Sequence, residues 1–207
     1  MSTPDRPVPV SLAVLAALAL VLLVGVAAFL VRNHIRRQHQ PTSSEVRSNL
    51  KAIFTGAKAF FSEKDAYTDD MGRLGYLPER GNRYTYFSAP QGRALGLAER
   101  QRPMVPFQVV PADPDARRYR GAYTAFAETG CPLTDAVLPD GSRAGLGVTP
   151  GPGGDPSQSV FIAAAAANLD DDTTVDCWSI ATVDRVADDG TPISAGMPYN
   201  ERNDVVH

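Results

Sequence analysis

Asp170, Asp172, Thr174 and Asp176 place side-chain oxygens at alternate positions, the chain's densest set of hard donors. Calcium accepts such flexible oxygen sets, so these four residues are the candidate metal site. The run lacks the glycine and the bidentate glutamate of an EF-hand loop, and carboxylates at a solvated hairpin turn need no metal. Calcium is therefore the only cofactor suggested, and no cofactor is the simpler expectation. Cys131 and Cys177 are far apart and neither belongs to a Cys-x-x-Cys pair, which removes the usual spacing of zinc sites and thioredoxin-type redox centres. They make either one disulfide, in an oxidising compartment, or two buried thiols packed as small hydrophobes. The only histidines are His34, His39 and His207, so no Ser-His-Asp or Cys-His set assembles in the body of the chain, and an enzyme is not expected. Paired carboxylates such as Asp69-Asp70 and Asp188-Asp189 read as solvated turns.

Composition narrows the classes further. With 207 residues the chain has room for an anchor and one compact domain. Its 17 Gly and 17 Pro point to a loop-rich domain, not a helical bundle. A formal net charge of -3 provides no basic footprint, so nucleic acid is not an expected partner.

The elements that would position these residues begin with an anchor. After an N-terminal segment, 1–10, residues 11–31 form one uninterrupted apolar run. About 20 residues at about 1.5 Å each cross a hydrocarbon core of about 30 Å, so the membrane is an expected partner. The run is too long for a cleaved signal peptide, its start is barely basic, and Arg32, Arg36 and Arg37 follow it directly; an uncleaved transmembrane helix is expected. Those three arginines against Arg6 place the rest of the chain in the cytoplasm by the positive-inside rule, whereas a disulfide would place it outside.

A basic linker, 32–41, closes with Pro41, which should kink or break the helix. Thr42 and Glu45 have capping-box spacing, so a second helix is expected over 42–64. Val46, Leu50, Ile53, Phe54, Ala57, Phe60 and Phe61 recur at three- and four-residue steps opposite Arg47, Lys51, Lys58 and Glu63. That stripe demands a packing surface, and a sheet suits two adjacent phenylalanines better than a bilayer.

Strands are expected at 83–87, 122–127, 160–167 and 176–183, the last two paired as a hairpin across the acidic turn. Between Pro139 and Pro156 the glycine and proline density argues for an exposed loop without regular structure, and residues 184–207 read as a polar tail. The fold class is α+β: a long N-terminal helix, membrane-spanning and then amphipathic, packed on a small antiparallel sheet within 83–183, the globular domain being 42–207.

Particular residues then carry a resemblance. Ser48-Asn49-Leu50-Lys51-Ala52-Ile53, Lys58-Ala59-Phe60-Phe61, Leu74-Gly75-Tyr76 and Gly81-Asn82-Arg83-Tyr84-Thr85-Tyr86-Phe87 resemble the helix and post-helix region of type IV pilins of the myxobacterial type. Phe161-Ile162-Ala163-Ala164, Asn168 to Asp172 and Val175 to Ile180 resemble their final hairpin, while the middle of the chain is unmatched. The resemblance implies a non-enzymatic protein of the bacterial inner membrane, its domain periplasmic, that acts through contacts with pilins or with pilus or secretion components. It also implies a departure. Pilins carry Gly followed by Phe-Thr-Leu-Ile-Glu at the membrane entry, for processing and assembly, and that motif does not occur here. An anchored sensory or ligand-binding domain on a pilin-like fold is the alternative.

Overall fold

The computed structural model describes residues 12–77, 79–96, 98–100, 105–113, 126–131, 135–169, 174–187 and 189–203. The chain divides into two compact units, Met1–Pro41 and Thr42–His207. One helix, α1 (Leu12–Lys64), contributes to both. It runs unbroken through Pro41, so the expected linker at 32–41 is helical and no new helix begins at Thr42. A proline inside a helix forfeits one hydrogen bond and crowds the preceding turn, a local cost of about 3 kcal/mol. Good helix formers on its N-terminal side, Arg36, Arg37, Gln38 and Gln40, oppose that cost. The helix stops where Asp65 turns left-handed, at φ 52, and donates its amide to the Phe61 carbonyl at 2.8 Å.

In the N-terminal unit the described apolar side chains are exposed, Leu20 to Leu23, Phe29 and Leu30 among them. Among the described residues no helix is long and apolar enough to cross a membrane, the side chains of 12–13, 15–18 and 31–42 falling outside that description. The expected anchor at 11–31 therefore rests on its sequence.

Among the described residues the second unit holds ten short strands: β1 (Thr85–Phe87), β2 (Val109–Val110), β3 (Asp135–Val137), β4 (Arg143–Gly145), β5 (Gly147–Thr149), β6 (Val160–Ala167), β7 (Asp176–Ala181), β8 (Arg185–Val186), β9 (Pro192–Ile193) and β10 (Tyr199–Arg202). The main sheet runs β10-β7-β6-β1-β2. Strand β6 is its spine. One edge pairs with β7 from Ile162↔Ala181 to Ala167↔Asp176, and the other is shared, β5 pairing Val160 to Ile162 and β1 pairing Ala164 to Ala166. All of these pairings are antiparallel. A second sheet, β4-β3-β8-β9, is also antiparallel.

Strand alternation explains the layers. Phe161, Ala163, Ala165 and Ala167 share a core with Val46, Leu50, Ile53 and Ala57 of α1 and with Trp178, Ile180, Tyr84 and Tyr86. The interleaved Val160, Ile162, Ala164 and Ala166 face the other way, into a core with Phe87, Phe126 and with Ala136 and Ala144 of the second sheet. The unit is thus three layers, α1 on the main sheet on the second sheet. Five consecutive alanines, helix formers by propensity, are held as strand by ladder pairing along β6 and by burial on both faces.

Three expectations are corrected. Phe126–Thr129 is a 3-10 turn, not strand, since the Phe126 amide bonds to the Pro90 carbonyl and its ring packs on Phe87 at 5.3 Å; residues 122–125 lie outside the described chain. The glycine-rich stretch 139–156 contains β4 and β5, because a tight turn with Gly141 at φ 83 lets β3 and β4 pair. The tail is structural: β10 pairs with β7 on the edge of the main sheet. A strand of Tyr-Asn-Glu-Arg has no apolar alternation to reveal it, and side-chain bonds hold it instead.

Gly56 sits where the helix meets the turn that follows it. A Cβ at this position would lie 2.2 Å from the backbone oxygen of Leu74. Helix propensity alone predicts that Gly56→Ala stabilises by about 1 kcal/mol. The close approach predicts the opposite, a loss of about 1–3 kcal/mol as helix and turn are pushed apart. Thermal unfolding of the detergent-solubilised chain decides the sign.

Candidate functional site

The polar groups that sequence reading singled out do not meet in a catalytic cleft; they stitch the layers together. Asp176 opens β7 and is buried. Its Oδ2 accepts from the Tyr84 hydroxyl and, at 2.7 Å, from Trp178 Nε1, while Oδ1 accepts from Asn200 Nδ2 at 2.9 Å. One carboxylate thereby joins the segment entering β1, the strand β7 and the edge strand β10. Burial, and then the Asp176 charge beside it, pushes the Tyr84 phenol far above its usual range, so it stays a donor. Above Trp178 stands the Arg47 guanidinium of α1, 5.0 Å from the ring centre.

Of the four candidate calcium ligands, Asp176 is committed to these bonds, Thr174 lies half-buried just before β7, and Asp170 and Asp172 lie outside the described residues. Among the described residues no group of three His, Cys, Asp or Glu side chains is placed to hold a metal ion.

Cys131 and Cys177 form a disulfide, S–S 2.06 Å, joining the 3-10 turn region to β7. Arg202 donates through Nε to the Val175 carbonyl at 3.0 Å, and its Nη2 lies 3.9 Å from Cys177 Sγ. Beside it, buried Arg185 pairs with Glu201 at 2.8 Å and donates to the Ser179 hydroxyl, holding β10 from its other side.

Glu45 is not a capping residue. Its Oε1 accepts the Arg83 amide at 2.8 Å, tying α1 to the chain that enters β1. Burial raises its pKa, against the opposing pull of the Arg83 amide and charge. Nearby, Asn49 Nδ2 donates to the Tyr86 hydroxyl at 2.8 Å, and the Tyr76 hydroxyl is buried with no partner among the described residues.

Val46, Leu50, Ile53 and Ala57 of the apolar stripe are fully buried, while Phe54, Phe60 and Phe61 are half-buried. Phe54 lies against Gly196, where a Cβ would come within 2.8 Å of its ring, and Phe61 stacks on Tyr67 at 4.6 Å. Sequence reading missed Glu45, Asn49 and Arg185 as tethers. Only their charge or amide at the border of an apolar stripe or strand could have flagged them, a signal shared by many surface residues. The arrangement ties the layers of one domain together.

Comparison with known proteins agrees with such a scaffold. The family model for the type IV pilin PilA matches residues 37–176. Over 196 residues the chain is 37% identical to the type IV major pilin protein PilA of Myxococcus xanthus (strain DK1622), covering 89% of this chain and 87% of that protein.

Two outcomes follow from the tethers. Replacing both cysteines, Cys131→Ser with Cys177→Ser, frees a 46-residue separation in the unfolded chain and is expected to cost roughly 2–4 kcal/mol in denaturant unfolding. Glu45 binds its proton more tightly folded than unfolded. Its contribution to stability is therefore complete below the ordinary value of 4.5 and is lost as pH rises through its higher folded value. Glu45→Gln keeps an acceptor for Arg83 and removes the charge, so the variant should gain stability relative to the parent as pH rises from about 4.5 to neutrality. A difference independent of pH across that range would refute the assignment.

Proposed function

We propose a structural, assembling role for this chain, which belongs to the type IV pilin PilA family. In this reading residues 11–31 hold the protein in the inner membrane, the disulfide-closed domain stands in the periplasm, and copies join through protein contacts into a pilus or a related secretion-type assembly. The observation that carries it is the likeness to a major pilin over 89% of the chain. The apolar run supports the anchor, the disulfide supports export, and the absence of any convergent acid–base or nucleophile set among the described residues suits a structural part.

A second reading has its own observation. Between Ser11 and Val31 there is no acidic residue, and Gly-Phe-Thr-Leu-Ile-Glu does not occur in that run. A chain of this kind would be anchored without polymerising. Mechanical shearing of cells that express the protein separates the two. The assembling role expects sedimentable polymer in the sheared fraction and a second pool that stays with membranes after alkaline washing. Recovery wholly as separate membrane-bound copies would leave the second reading, and recovery in the alkaline wash would sink the anchor.

A further inference from the structure

The three-layer unit has two outer faces, and their charges differ in sign. One flank of α1 carries Arg47, Lys51 and Lys58, all exposed, with small or hydroxyl-bearing exposed residues between them and the Arg47 guanidinium resting over Trp178. At its N-terminal end this face borders an open groove of about 290 Å³ lined by Ser44, Arg47, Ser48, Lys51, Met197 and Pro198. The second sheet, which the main sheet separates from α1, exposes in its turns Asp140 and Asp189 against Arg143 among the described residues. Turn hydrogen bonds from Ser142 and Thr191 hold the Asp140 and Asp189 carboxyls below their usual range, so both stay charged. The formal charge is -3 for the whole chain and +3 for residues 1–41, four arginines against Asp5, which leaves -6 on residues 42–207. A basic face on an acidic unit has its natural complement on another copy of that unit.

We infer that the basic face of α1 docks on the acidic second-sheet layer of a second copy of this chain. This rests on the assembling role proposed above and names the two surfaces that meet. Because the faces are different and lie on opposite layers, the contact is heterologous: each copy uses one face and leaves the other open, so addition continues instead of closing as a dimer. Complementary charge at its rim steers copies into register and makes association sensitive to salt.

Three forms of the full chain test this. A helix-reversed form carries Arg47→Glu and Lys51→Glu; a layer-reversed form carries Asp140→Lys and Asp189→Lys; a third carries all four. Each single reversal is expected to lower the sheared polymer at least roughly tenfold, since like charges then face each other, and the fourfold form to recover most of it. Asp140→Asn with Asp189→Asn keeps the turn acceptors, so an intermediate loss there separates charge from turn geometry. Unchanged polymer in the single reversals, or a fourfold form as deficient as either, would overturn the docking while leaving the assembling role standing. Where the parent chain yields no polymer, carbodiimide cross-linking of the detergent-solubilised protein decides. Dimers lost in either reversal support the contact and dismiss polymerisation, and no dimers in the parent dismiss both.

Discussion

Strand β6 has to be covered on both faces at short range, and the rest of the globular unit follows from that requirement. Its α1-facing residues are Phe161 and three alanines, its opposite residues two branched side chains and two alanines, and all eight are buried. Alanine contributes little transfer energy of its own, so the stability of this layer comes from what it lets approach. Val46, Leu50 and Ile53 are each worth about 1.5–3 kcal/mol when fully buried, and they reach that state only because the sheet beneath them is low. Gly56 extends the same constraint to the turn at Leu74.

Most of the buried polar side chains between the layers are served by protein partners, the Tyr76 hydroxyl being an exception among the described residues. Asp176 is the clearest case, with an amide, an indole and a phenol converging on one carboxylate. A buried charge that keeps several donors is tolerated, whereas the same charge stripped of them is costly. Arg185 plays the mirror role, a buried cation shared between Glu201 and Ser179. Both groups reach into β10, so the edge strand is attached by polar bonds at its middle and its end and by the neighbouring disulfide through Arg202. The strand lacks an apolar side to hold it, and these tethers replace one.

This division between apolar and polar attachment decides how much was legible in the sequence. The amphipathic stripe from Val46 to Ala57 is a periodic signal, and the hairpin of β6 and β7 announces itself by two apolar runs around an acidic turn. Strand β1 is found because Arg83 to Phe87 alternates. By contrast β10 is written in residues that also make loops, and only the distant Asp176, 24 positions away from Asn200, gives its amide a purpose. The same separation hid the role of Glu45: a local capping rule explains the residue completely, and its actual partner, Arg83, is 38 residues on. Pro41 misled for a related reason, since a local rule for breaking helices outweighed the residues that keep α1 continuous. Asp176 stands out in the sequence by donor type alone, and its partners Tyr84, Trp178 and Asn200 carry no local signal that would name them.

Once the inner faces satisfy the core, the outer faces are released from the demands of folding. The exposed positions of α1 and of the second sheet lie outside both hydrophobic cores, so exchange of charge there acts first on solubility and association where the side chain makes no contact inward. A scaffold of this kind separates two tasks that compete in a smaller domain: alanine, tyrosine and the Asp176 hub set the shape, while the charged outer layers set what the shape meets. The sign difference between those layers is therefore a property that stability does not require. Arg47 belongs to both tasks, with its guanidinium over Trp178 and its charge exposed on the flank of α1. The same indole donates to Asp176 at 2.7 Å, so the exposed charge and the buried polar network meet on one ring.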